Sequence, residues 1–136
     1  MTDLRMCAMD RILCIAAVVE IGTGLALVLV PRIVVALLVG PGAKVEEMPL
    51  APFPGIALVA LGLACWPGSR PANAGAPAFR AMLVYNALIA LFLAYLFTTG
   101  RAAGILLWPA VALHGLVALL LTWSWRRERY AGASHA

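Results

Sequence analysis

Charge is what this chain has least of. Only 12% of its 136 residues are Asp, Glu, Lys or Arg, against about 25% in an average globular domain. That shortage excludes a protein solvated on all sides. Histidine is scarce as well: there are two, His114 and His135. One buried His beside one Glu falls short of a zinc or di-iron ligand set, so no metal site is expected. None of the three cysteines, Cys7, Cys14 and Cys65, forms a Cys-x-x-C pair, and no disulfide framework is visible. Nucleophile triads, phosphate loops and paired catalytic acids are missing too, which argues against an enzyme. There is no internal repeat of roughly 20–50 residues. The net charge is +4, but the basic residues flank apolar runs and form no stripe. They read as topology signals and not as a nucleic-acid surface.

What fills the chain instead is apolar: 64% of its residues are hydrophobic. Residues 12–30 are apolar except for Glu20 and Thr23. At ~1.5 Å per residue this run is long enough to cross a hydrocarbon core of ~30 Å. The segment before it is polar and resembles a signal-peptide n-region. The apolar run is longer than an h-region and no small-x-small site follows, so the segment reads as mature protein. Four spans are expected over residues 10–30, 50–66, 78–98 and 103–125, with a basic tail at 126–136. Residues 33–39, between Pro31-Arg32 and Gly40-Pro41-Gly42, are too short to span. They read either as further turns of the first helix beyond a kink or as an interfacial piece. Residues 43–49 and 69–77 read as loops, the latter rich in Gly, Pro and Asn. Pro52 and Pro54 fall in the first turns of the second span, where a missing N–H is tolerated. The expectation is a single domain over 1–136: an all-α, integral membrane four-helix bundle.

Four spans put both termini on one side. With those termini in the cytoplasm, the inner segments carry Arg5, Arg11, Arg70, Arg80, Arg126, Arg127 and Arg129, and the outer ones Arg32, Lys44 and Arg101. That bias predicts termini inside. The aromatic residues divide the same way: Trp66, Phe79, Trp123 and Trp125 at the inner interface, Phe53, Phe97 and Trp108 towards the outer. All three cysteines then lie near the cytoplasmic face, which suggests reduced thiols.

The membrane-embedded polar groups carry the functional signal. Ala16, Glu20 and Gly24 recur every four residues, with Thr23 adjacent. Met82, Asn86, Ala90, Ala94 and Thr98 do the same, as do Ala110, His114 and Ala118. A spacing of four keeps each set on one helix face. Small residues let backbones approach, and the polar side chain then bonds across. Glu20 and His114 are expected at similar depth near the midplane, with Asn86 nearer the cytoplasmic side and Tyr85 beside it. One reading is that Glu20, Asn86 and His114 fasten helices to each other. The other is that, with Tyr85 and Thr23, they line a cavity for a proton, a quinone headgroup or another lipid-soluble ligand, because intramembrane ionisable residues are rare and functional by default. A Glu–His pair can also pass protons. Met6-Cys7-Ala8-Met9 is a soft cluster that could hold Cu(I), though an ordinary N-terminal tail accounts for it more simply.

Two resemblances arise at these residues. Glu20-Ile21-Gly22-Thr23 is similar to the first helix of the small multidrug-resistance exporters, where a membrane-embedded Glu shortly precedes a Gly-Thr pair; here the spacing is one residue tighter. That likeness implies a proton-coupled transporter working as a dimer, with Glu20 as proton carrier. The chain as a whole resembles the DoxX-like group of small four-span bacterial inner-membrane proteins. The shared features are a Gly-containing first helix ending in Pro31, a Gly/Pro-led second helix ending at Cys65-Trp66-Pro67, an Arg-led third helix, and a fourth carrying Trp108-Pro109 and His114. This resemblance implies a non-enzymatic inner-membrane protein. It would be an accessory subunit of a larger, quinone-linked membrane complex, or a binder of a quinone or lipid, and it would self-associate or dock to a larger subunit. It carries over no catalytic residue.

Overall fold

Five helices form between the prolines and glycines: α1 (Thr2–Leu29), α2 (Pro31–Val39), α3 (Pro52–Ala64), α4 (Gly75–Thr98) and α5 (Leu107–Ala133). The computed structural model describes residues 2–41, 52–66 and 75–133, with side chains over 10–41, 52–66 and 77–127. Among these there is no strand. Three segments are long and apolar enough to cross a bilayer: Asp10–Leu29, Pro77–Thr98 and Leu107–Arg127. This is a multi-pass membrane protein. Helix α3 is apolar but shorter, at 13 residues.

Residues 31–39 are a separate helix and do not continue α1. A residue before proline is pushed out of the α region, and Val30 leaves it at φ −136°, ψ 52°. Pro31 then opens α2, where its missing N–H is harmless. Gly40, at φ +116°, ends it. The last carbonyls of a helix have no partner within it. In α2 they accept from another part of the chain: Ala103 N–H donates to Val39 O at 2.9 Å, Gly104 to Leu38 O at 3.2 Å and Leu106 to Leu37 O at 2.9 Å. Residues 103–106 are thereby drawn out of the helix expected to start at 103, and α5 begins at Leu107 instead.

Other boundaries move for simpler reasons. Helix α3 stops at Ala64 and not at 66, its end tightening into a turn as Trp66 N–H donates to Leu63 O at 3.2 Å. Pro67 lies one residue on and disfavours helix at 66. At the other termini nothing breaks the pattern, so α1 starts at Thr2, before the expected 10, and α4 starts at Gly75, before 78. Helix α5 runs through the basic segment to Ala133, past the expected end at 125. Arg and Glu are good helix formers, and the first glycine there is Gly132. Most of the 43–49 and 69–77 loops lies outside the described residues, as do the side chains of Met6 to Met9 and of the tail beyond Arg127.

Helix α1 packs mainly on α3 and α4 mainly on α5, and α1 joins the two pairs. The α1–α3 contact is built on glycine. A Cβ on Gly24 would sit 2.6 Å from Gly55 O, and one on Gly55 2.7 Å from Gly24 O. Seven residues along each helix, a Cβ on Gly62 would sit 2.8 Å from Ala17 O. The register rises on one helix as it falls on the other, so α3 runs antiparallel to α1 and lies beside it from Val28 to Ala17. Leu13 and Ala17 of α1, Cys65 after α3, Phe79 and Met82 of α4, and Val117 and Leu121 of α5 form one buried cluster. Leu93, Ala102 and Leu107 form a second. Phe79 is 5% exposed in the first cluster, so it is a core residue and no part of an interfacial belt. Trp66, Trp108, Trp123 and Trp125 are exposed. Arg127 lies over the Trp123 ring at 3.7 Å, and Arg101 over Tyr95 at 5.7 Å.

Candidate functional site

Between the two apolar clusters lies one polar layer. Glu20 on α1, Asn86 on α4 and His114 on α5 are the buried polar residues among those described, at 1%, 1% and 9% exposure. Each sits one helical turn from a small or core residue on the same face, which is how the four-residue spacing brings them inward. His114 Nδ1 is 2.8 Å from Asn86 Oδ1 and 3.8 Å from Glu20 Oε1. Asn86 is therefore level with the other two and not nearer one face as expected.

The hydrogen bonds assign themselves. Asn86 Nδ2 donates to Met82 O at 2.9 Å. Turned round, the amide would set its oxygen against the Met82 carbonyl oxygen, so it keeps this orientation. Its Oδ1 then faces His114, and His114 Nδ1 carries the proton and donates. The Glu20 carboxyl is served in part, by side-chain hydrogen bonds with Tyr85 and Asn86. Its Oε2 is the one fully buried side-chain polar atom among the described residues with no hydrogen-bond partner. The Tyr85 hydroxyl hydrogen-bonds that carboxyl, and the Tyr85 ring meets the His114 ring edge-on, with centroids 5.9 Å apart.

Next to the layer is a cavity of about 470 Å³, within the roughly 300–1,000 Å³ usual for small-molecule sites. All five helices wall it: Val19 and Leu27 from α1, Val34 and Leu38 from α2, Leu58 from α3, Leu93 from α4 and Leu113 from α5. Tyr85, His114 and Thr23 supply its polar side chains. No family model, curated protein or solved structure matches this chain. What the site can do must be read from its own geometry.

That geometry sorts the five expected site residues into two ranks. Tyr85, His114 and Thr23 line the cavity, whereas Glu20 and Asn86 stand behind it. The cavity opens sideways. Its exposed wall residues include Pro54 and Ala57 on α3 and Pro109 and Leu113 on α5. These two helices lean on different partners, α1 and α4, and leave the gap between them. On the other side of the polar layer the packed cluster around Leu13, Met82 and Leu121 closes the interior. Pro54 and Leu58 of α3 and Val34 and Leu38 of α2 carry no chemical mark in the sequence. Only the packing of α2 and α3 against α1 makes them walls. Among the described residues no three His, Cys, Asp or Glu side chains come together as a metal site.

Proposed function

We propose that this is a four-span bacterial inner-membrane protein, with both termini in the cytoplasm, that holds a lipid-soluble ligand in the cavity beside Tyr85 and His114. The cavity carries the reading: an apolar chamber with one polar edge and a mouth that faces sideways between α3 and α5 suits a molecule that arrives from the bilayer. The four-span count is supported by α3, which covers α1 from Val28 to Ala17 despite its 13 residues. The alternation of α1, α3, α4 and α5 and the arginine bias agree with it. The role is non-enzymatic, either binding in its own right or serving as an accessory subunit of a larger membrane complex. The DoxX-like features point the same way.

A dimeric proton-coupled transporter is the alternative. It needs Glu20 open to a space shared between two chains. Here Glu20 is 1% exposed within one chain, and the groups around its carboxyl belong to that same chain, which favours the binder.

The test is to fill the mouth. Ala57→Trp adds a large side chain at an exposed position, where it should leave the fold intact. Lipid extracts of the purified wild type should contain a retained lipid-soluble species that Ala57→Trp lacks, at unchanged melting temperature. Identical extracts from the two proteins would overturn the reading.

A further inference from the structure

The Tyr85 hydroxyl is engaged with the Glu20 carboxyl, and the Thr23 hydroxyl can donate or accept, so it places no demand on a ligand. His114 does place one. Its Nδ1–H is committed to Asn86 Oδ1 at 2.8 Å, an orientation locked in turn by Asn86 Nδ2 on Met82 O at 2.9 Å. In the neutral ring the second nitrogen, Nε2, then holds a lone pair and can only accept. No hydrogen bond from the described residues reaches Nε2. It is also not among the buried unpartnered atoms, of which Glu20 Oε2 is the sole member. It is therefore open, on a residue that lines the cavity. A charged ring would instead aim an N–H at an apolar chamber, which costs far more than a bare lone pair.

We infer that the cavity selects a ligand whose apolar body ends in a hydroxyl, and that this hydroxyl donates its hydrogen bond to Nε2 of His114. The inference rests on the ligand-binding reading above and narrows it. A ketone, a quinone or an ether offers only acceptors and would face Nε2 lone pair to lone pair. A phenol, a hydroquinone or an aliphatic alcohol fits. Asn86 is the positioning residue: it touches no ligand but decides which ring nitrogen carries the proton.

The experiment uses the full chain in lipid nanodiscs, labelled with ¹⁵N-histidine. With two histidines in the sequence, His135→Ala assigns the His114 signals. The ¹⁵N shifts report the tautomer directly, and Nδ1–H is expected. The protein is then titrated with 4-butylphenol and with 4-butylanisole, its methyl ether, in which a methyl group replaces the donated hydrogen. The phenol should move the Nε2 signal and bind at least about tenfold more tightly than the ether, since an unmade bond to a desolvated acceptor is costly. In Asn86→Leu the proton is no longer held on Nδ1, so the preference for phenol should shrink while ether binding persists. An Nε2–H tautomer, equal binding of the two probes, or an undiminished preference in Asn86→Leu overturns the inference and leaves the cavity reading standing. Binding of neither probe, with the His114 signals unmoved, overturns the cavity reading and the inference with it.

Discussion

Oε2 of Glu20 makes no hydrogen bond inside the protein, although the residue is 1% exposed. Asn86, beside it, has both ends of its amide satisfied. The two should respond differently to an apolar replacement of similar size. Removing a satisfied partner strands the others, whereas removing an unsatisfied group can be neutral or stabilising. Asn86→Leu should lower the melting temperature in detergent, by an amount near the ~0.6 kcal/mol average of intramembrane hydrogen bonds. Glu20→Leu removes the unpartnered Oε2 but also the hydrogen bonds with Tyr85 and Asn86, so it should lower the melting temperature by less than Asn86→Leu does. A loss in Glu20→Leu larger than that in Asn86→Leu would mean that the carboxyl is the main fastener. Glu20→Gln keeps the shape and cannot titrate, so normal ligand binding by that variant over the whole pH range would exclude a proton-carrying role. Glu20, Asn86 and His114 were legible as candidates because polar residues in apolar runs stand out and a four-residue spacing gives their face. Which of them meets the cavity was not legible. That depends on side-chain direction and on which helices are neighbours, and neither is written in spacing.

Glycines do two jobs at the scale of the element. Gly24 and Gly55 let α1 and α3 touch backbone to backbone, whereas a Cβ on Gly22 would meet nothing within 4 Å. Gly24→Val and Gly55→Val should therefore each destabilise by about 1–3 kcal/mol or more through overpacking. Gly22→Ala should stabilise by up to about 1 kcal/mol through helix propensity. Melting temperatures of the three variants check the ranking, and a fall for Gly22→Ala would contradict it. Gly104 does the second job, since an added Cβ would collide with the Leu37 carbonyl. Its segment should show slow amide exchange at Ala103 and Leu106 although neither is in a helix, because both donate to α2 carbonyls. The long apolar helices were readable from length alone. Where α5 begins was not, because residues 103–106 are as apolar as a helix start and only the distant carbonyls of α2 claim their N–H groups.

For the whole molecule, the direction of the helices carries the largest testable claim. Reporter fusions within residues 70–75 and at the C-terminus should report the cytoplasm, and fusions within 44–47 and at Arg101 the opposite side, as the arginine bias requires. A C-terminal reporter on the opposite side would overturn the termini-inside topology. Synthesis order adds a constraint of its own. The N–H groups that satisfy Leu37, Leu38 and Val39 belong to residues made only after α3 and α4 are complete. Until then those carbonyls have only water to bond, and hydrocarbon would leave them bare. A ribosome-bound chain ending at Thr98 should therefore keep α2 at the water-facing edge of the membrane. A cysteine at Val34 in an otherwise cysteine-free chain should react with a water-soluble maleimide in that intermediate, and become protected once residues 103–107 have emerged and closed the wall.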